Sequence, residues 1–253
     1  MKSSKYYTRK IHRYLGIFIG IQFLLWSLGG LYFSWTDIDE IHGDHLRRTN
    51  NFMLIDDDQK LINPQKVINK IKHKNTIDSL ISLKLIHIHN KPFYQIRYFS
   101  SNNKKAKSKI QLASAITGEL RGPLSQKEAI RIAQSVFYGE LQVKDVEFIE
   151  KVDKHHEYRE RPLPVWAITM EHDSDPTAYI SASLGTFQSI RHNRWRIFDN
   201  LWMLHTMDFQ SRDNFNNLIL RIFSLLGLIT VISGYLLYYT SSQTIRKLKK
   251  RIK

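Results

Sequence analysis

Two long apolar runs, one near each end, constrain this chain more than any other feature. Tyr14 to Trp35 reads YLGIFIGIQFLLWSLGGLYFSW, and Leu218 to Tyr239 reads LILRIFSLLGLITVISGYLLYY. Each matches the ~20 residues a helix needs to cross the hydrocarbon core of a bilayer. The chain between them is then left to fold outside the bilayer. Lys2, Lys5, Arg9, Lys10 and Arg13 precede the first run, and Arg246, Lys247, Lys249, Lys250, Arg251 and Lys253 follow the second, with no acidic residue in either tail. Unopposed Lys/Arg stays cytoplasmic. The pattern therefore predicts spans at 14–35 and 218–239 and cytoplasmic basic tails at 1–13 and 240–253. Asp37, Asp39, Glu40 and Asp44 follow the first span on the opposite side. Tyr14, Tyr32, Trp35, Tyr235, Tyr238 and Tyr239 stand where interfacial aromatic belts form.

A cleaved signal peptide would have an apolar core of ~7–15 residues and a small-residue cleavage site. The first run is longer and no such site follows, so it reads as a retained anchor. The formal charge of +15 first suggests a nucleic-acid partner. Most of it sits in the two tails, which points to a bilayer instead. The chain has no cysteine, which excludes disulfides, iron–sulfur clusters, thiolate zinc sites and covalently attached haem.

Beyond a connector at 36–61, the middle reads as one small unit present twice, at 62–122 and 123–190. The first opens on NPQKVINKI, where Asn63 can cap a helix and Pro64 suits its first position. The second opens on SQKEAIRIA, where Ser125 and Glu128 form a capping box. Strand-like segments follow both. Leu83, Leu85 and His87 alternate with Lys84, Ile86 and Ile88, which is strand periodicity, and a second extended run begins after a turn at Asn90–Lys91. QLASAITGEL and YISASLGTFQ close the two units, each a strand turning at a glycine, Gly118 or Gly185. The charged stretches Ser101–Lys109 and Asp153–Pro162 read as solvated hairpin loops. The fold class is thus α+β: two helix-on-antiparallel-sheet units between two transmembrane helices.

A helix, an antiparallel hairpin and a closing strand with a "TG" turn, present twice, resemble the PepSY domain. RKIHRYLGIFIGIQFLLWSLGGLYFSW is similar to the first helix of PepSY-associated membrane proteins, and EIHGDHL to the segment after it. RIFDNLWMLHTMDFQSRDNFNN with the last span is similar to their C-terminal part. The resemblance covers nearly the whole chain and is most specific at its two membrane ends. It places His12 in HRYLG, His42 and His45 in IHGDHL, and His205 in LHTMD. It implies a bacterial inner-membrane protein with a periplasmic tandem PepSY domain. Larger relatives with four spans are ferric-siderophore reductases holding b-type haems, others carry flavin reductase domains, and soluble PepSY units are thought to restrain peptidases. This chain has two spans and no flavin or nicotinamide fingerprint.

Non-covalent haem needs facing axial imidazoles, and small residues let helices flank a flat macrocycle. Gly16, Gly20, Gly29, Gly30, Gly227 and Gly234 serve that purpose or simple close helix packing. No histidine lies inside either apolar run. Trp195, Phe198, Trp202, His205 and Phe209 recur at helical spacing behind Arg191, Arg194 and Arg196, so 191–213 is predicted to be an interfacial amphipathic helix. His205 is then either a ligand or a structural hydrogen-bonding residue, with Trp202 and Phe209 as walls. His42, Asp44 and His45, with His205 and Asp208 one helical turn apart, form the candidate nitrogen- and oxygen-ligated metal site; a polar membrane-surface loop is the alternative. The pairs His87–His89 and His155–His156 are weaker metal candidates. Arg221, one turn inside the second span, either snorkels to the interface or pairs with a haem propionate. No nucleophile–base pattern, phosphate-cradling loop or zinc-protease signature occurs.

The leading expectation is a haem- or metal-linked electron-transfer component of iron acquisition or respiration. Haem b would be held by His42 or His45 with His205, within one chain or across a homodimer. The rivals are a non-catalytic module that restrains a periplasmic peptidase or senses the envelope, and an accessory subunit of a larger membrane complex. Expected partners are lipid and other membrane subunits, not nucleic acid.

Overall fold

The computed structural model describes residues 4–48, 60–100 and 108–244. Of the expected loop Ser101–Lys109, residues 101–107 lie outside the described residues and Lys109 begins a strand; residues 245–253 of the basic tail also lie outside them. The chain divides into a helical unit, residues 1–37 with 197–253, and an α+β unit, residues 38–196.

The helical unit contains α1 (Ser4–Trp35), the later part of α5 (Asn193–Thr206) and α6 (Leu218–Ser241). Of α1, Tyr6–Trp35 is apolar enough to cross a membrane over 30 residues, as is all of α6 over 24. A core helix of a water-soluble protein would bury such residues. Here Ile17, Phe18, Leu24, Leu28, Leu225 and Leu228 are all more than half exposed, as suits helices that face an apolar solvent. The two helices run antiparallel and contact each other at small residues of α6. Phe23 fills the space beside Gly227, where a Cβ would come within 2.8 Å of its ring, and His12 lies against Gly234. Phe18 and Phe223 add an aromatic contact at 5.4 Å. The α6 glycines thus receive side chains of α1, which is the close-packing alternative of the two read from sequence.

The α+β unit has two four-stranded antiparallel sheets, each a simple meander preceded by a helix. In the first half, α3 (Pro64–Lys74) leads into β1 (Ser79–Ile88), β2 (Lys91–Phe99), β3 (Lys109–Ser114) and β4 (Leu120–Arg121). In the second, α4 (Gln126–Val136) leads into β5 (Val143–Ile149), β6 (Val165–Met170), β7 (Thr177–Ser181) and β8 (Thr186–Arg191). Asn63 caps α3 through a 2.8 Å bond from the Gln65 N–H, and the Ser125–Glu128 box caps α4. His89 and Asn90, both at positive φ, make the β1–β2 turn.

Backbone hydrogen bonds repeat from one half to the other. Gly118 donates to the Ser114 carbonyl and Gly185 to that of Ser181, both glycines at φ near +70°, 67° and 73°. Ala115 and Ala182 donate to Pro92 and Pro164; their own carbonyls accept from Ile62 and Leu124, each the residue before a helix cap. Val67 and Ile71 of α3 are fully buried, and so are Ala129 and Ala133 at the matching places of α4. The Gly185 turn is seated on the first sheet, against Ile86, Ile88 and Leu112, and the Gln95 amide reaches the Leu184 carbonyl at 2.6 Å.

The stretch Asp153–Pro162 corrects the solvated-loop expectation. Tyr158 in its middle is completely buried and stacks on Tyr179 at 4.6 Å, packed with Val152 and Leu163 on the second sheet. Asp153 turns the loop by accepting from the N–H groups of His155 and His156, each at 2.8 Å. The charged residues hid one tyrosine whose ring covers the sheet's open face, and burial pushes its hydroxyl up to about 12.

Candidate functional site

His205 lies in the last turn of α5 and faces an aromatic enclosure within the helical unit. Its ring is 6.1 Å from Trp26 and 5.8 Å from Phe33 of α1, and stacks on Trp202 at 6.3 Å with a 14° interplanar angle. Phe33 in turn meets Phe198 at 4.9 Å and Trp202 at 5.8 Å. Three of the five stripe residues, Phe198, Trp202 and His205, therefore pack on α1 rather than on lipid. Trp195 belongs to the α+β unit, and Phe209 stands beyond the helix end, 46% exposed. The Gln22 amide donates to the Leu204 carbonyl at 3.3 Å and ties α1 to α5 beside the ring. Two buried nitrogens in this enclosure lack hydrogen-bond partners: Nδ1 of His205 and Nε1 of Trp26. Buried polar atoms are normally satisfied, so this pair is the feature of the helical unit that most needs a ligand or water.

The helix predicted over 191–213 stops at Thr206. Asp208 is therefore not one helical turn from His205. Its Oδ1 accepts from the N–H groups of Gln210 and Ser211, both at 3.2 Å. Oδ2 accepts from the Ser211 hydroxyl at 2.5 Å and from Asn214 N–H at 2.9 Å. Burial acts to raise this carboxyl, but those bonds outweigh it and hold it down at about 2. Asp208 organises the 207–217 loop, which an Arg212–Asp199 ion pair also fastens to α5. Trp202 donates from its indole to Asp213 at 3.2 Å. Arg221 is exposed and its Nη2 reaches back to Asn216 at 3.5 Å, toward the start of α6. That is the snorkelling arrangement.

His42, Asp44 and His45 belong to the α+β unit. His42 ends the short helix α2 (Ile38–His42) and is exposed. Asp44 faces Arg47 at 4.0 Å. His45 is exposed too, and its ring meets His192 edge-on at 5.5 Å. Among the described residues, no three His, Asp or Glu side chains gather closely enough to hold a metal ion.

Two histidines matter more than their sequence context suggested. His192 is fully buried, and its Nε2 donates to the carbonyls of Glu40 at 3.0 Å and Ile41 at 3.2 Å. A histidine between Arg191 and Asn193 carries no periodic signal of burial. His12, at the other end of α1 from Trp26, bonds through Nδ1 to Ser233 Oγ at 2.7 Å. The Ser233 hydroxyl is already spent on the Thr230 carbonyl at 2.8 Å, so Nδ1 of His12 is the donor in that bond.

Against this geometry stand the comparisons with known proteins. No protein family, curated protein or solved structure matches this chain. Its function is therefore argued from its own residues.

Proposed function

We propose that this chain is a two-span inner-membrane protein of the PepSY-associated kind, whose helical unit takes part in electron transfer through a centre bound at His205. The observation that carries the reading is the aromatic enclosure of that imidazole with its unpartnered buried Nδ1. The residues present would offer a b-type haem one imidazole ligand, His205, flanked by Trp202 and Phe33. Such a haem, when bound, supplies one-electron redox chemistry. The chain's contribution is to hold the ring orientation by stacking and to keep water from it with tryptophan and phenylalanine.

The tandem helix-and-sheet unit, with its repeated hydrogen bonds, supports the PepSY reading of the middle. The basic tails support cytoplasmic termini and a periplasmic α+β unit. Iron acquisition or respiration is the setting in which such a component works, as a homodimer or within a larger membrane complex that completes the electron path.

The visible spectrum of the full chain, purified in detergent from haem-replete cells, tests this. A Soret band with a reduced α-band that disappears in His205→Ala, while membrane insertion persists, supports the assignment. His12→Ala, His42→Ala and His45→Ala then identify the second ligand. A well-folded protein with neither haem absorption nor bound metal would overturn it. The second reading, a module that binds a periplasmic peptidase, rests on a different observation. Among the described residues, strand β1 is an unpaired sheet edge with Leu80 and Ile81 nearly half exposed, as strand addition requires.

A further inference from the structure

We propose that the outer face of the second sheet carries an oxyanion site, formed by Arg161, Arg191 and Ser189, that takes a phosphate or carboxylate group. The inference is independent of the redox reading, since every residue involved lies in the α+β unit.

Charge imbalance is the first observation. Arg191 and Arg196 act on one half-buried carboxylate, Glu157, and Arg159 and Arg161 add their charges beside Arg191. That carboxylate is fully engaged. Arg196 grips it with Nε on Oε2 at 2.8 Å and Nη2 on Oε1 at 3.1 Å, and the Tyr179 hydroxyl donates to Oε1 at 2.7 Å. Asp175 is taken by Lys144 at 2.6 Å, and Glu160 is exposed in the loop. Arg191, only 8% exposed, feels the Glu157 charge, but among the described residues its hydrogen bonds go to carbonyls rather than to a carboxylate. Its Nε donates to the Glu157 carbonyl at 3.3 Å and its Nη1 to the Ile190 carbonyl at 3.2 Å, while the guanidinium lies 3.9 Å over Trp195. Arg161 donates from Nη1 to the Gln188 carbonyl at 3.2 Å. Burial and the neighbouring Arg161 charge draw the Arg191 guanidinium down to about 10, against the opposing pull of Glu157.

Ser189 is the second, independent observation. It is 8% exposed and its buried Oγ has no hydrogen-bond partner. Two residues before Arg191 on β8, and paired across from Tyr179, it shares the face that carries the arginines. A buried hydroxyl without a partner and a buried guanidinium whose neighbouring carboxylate is already held by Arg196 and Tyr179, on one face, call for the same ligand. An oxyanion accepts from both, and charge-assisted bonds of this kind are the strong ones. A cation would meet a net excess of positive charge there.

The test is calorimetric titration of the full chain in detergent and chloride buffer with three probes: inorganic phosphate, acetate and a short-chain phosphatidic acid. Binding of at least one probe is expected, weakened about tenfold or more by Arg161→Gln and by Ser189→Ala. Arg161→Lys should recover part of the loss. The tightest probe separates a free anion from a lipid headgroup. Thermal unfolding of each variant checks that the fold persists, and Lys70→Ala, on α3, should bind as the parent does. Absence of binding by all three probes overturns the proposal, as does binding that neither substitution weakens.

Discussion

Tyr94 and Trp166 occupy the same place in the two halves of the α+β unit and do the same work with different chemistry. The Tyr94 hydroxyl donates to the Ile62 carbonyl at 2.7 Å, and the Trp166 indole N–H to the Leu124 carbonyl at 3.0 Å. Ile62 and Leu124 each precede the cap of their half's helix and each donate to the alanine of the glycine turn. One aromatic side chain per half therefore joins the second strand, the helix entrance and the closing turn. Duplication of a single unit accounts for this better than chance, because the shared element is a network and not a residue type.

Removing these bonds should destabilise each half separately. Tyr94→Phe deletes one hydroxyl and leaves a partly exposed carbonyl that water can serve, so a loss of about 1 kcal/mol is expected. Trp166→Phe orphans the carbonyl of the buried Leu124 and removes ring volume, for roughly 2–4 kcal/mol. Urea denaturation of the two variants measures the difference. Equal losses, or losses of only a few tenths, would mean the shared network carries no stability.

Gly185 should tolerate substitution less well than Gly139, although both have positive φ, 73° and 76°. A Cβ on Gly185 would come within 3.1 Å of Ile88 and 3.2 Å of Leu112, whereas Gly139 has nothing within 4 Å. Gly139→Ala is therefore expected to cost only the left-handed backbone term, about 1–2 kcal/mol. Gly185→Ala adds crowding between the two halves, for roughly 2–4 kcal/mol in all. Comparable melting temperatures for the two variants would contradict this.

What could be read from sequence followed the periodic and local signals. Both caps, the strand alternation, the glycine turns and the two long apolar helices depend on neighbours a few residues away. The Tyr158 loop escaped because a single buried tyrosine among charges has no period. The end of α5 at Thr206 was invisible for a similar reason. No glycine or proline stands there, and the helix is stopped by Asp208 collecting N–H groups from residues two to six positions ahead. The orphan hydroxyl of Ser189 depends on what surrounds it in space, and Ser189 alone gives no hint of it. His205 was singled out from its aromatic spacing, but its enclosure by Trp26 and Phe33 comes from α1, more than a hundred residues earlier in the chain.

Stability should fall as pH drops below about 6.5, in part through His192. With Nε2 donating to two carbonyls, its Nδ1 must accept any added proton, and that atom is buried without a partner. Burial lowers its affinity for that proton, helped by the His45 and Arg196 charges and opposed by the carbonyls of Glu40 and Ile41. The unfolded chain takes up the proton near pH 6.5 while the folded chain does not. Between the two values the unfolded state binds more protons, so folding is favoured above 6.5 and disfavoured as pH falls. Urea midpoints at pH 7.5 and 5.5 measure the slope. His192→Gln, which can still donate to the carbonyls but does not titrate, should reduce it. His89, also depressed by burial and by Arg131, keeps its own contribution. A slope unchanged in His192→Gln would remove His192 from the account.

Topology offers the cleanest test, because the chain contains no cysteine and any introduced thiol reports alone. On the proposed topology, positive residues at both tails hold those ends in the cytoplasm, and the two spans between them return the chain to the same side. Asp173 lies in the exposed turn between β6 and β7, and Ser241 is exposed at the end of α6. Asp173→Cys should react with a membrane-impermeant maleimide once the outer membrane is opened, with the inner membrane intact. Ser241→Cys should react only after the inner membrane is broken. The reverse pattern would put the α+β unit in the cytoplasm and remove the peptidase and envelope-sensing readings with it. Labelling of both thiols on the periplasmic side would mean that one apolar helix does not cross. In that case the packing of Phe23 against Gly227 and of His12 against Ser233 would have to form within a single leaflet, where helices of 30 and 24 residues could lie only along the surface. The exposed aliphatic side chains around the rest of α6, away from its contact with α1, argue against that arrangement, since a surface helix needs one polar face.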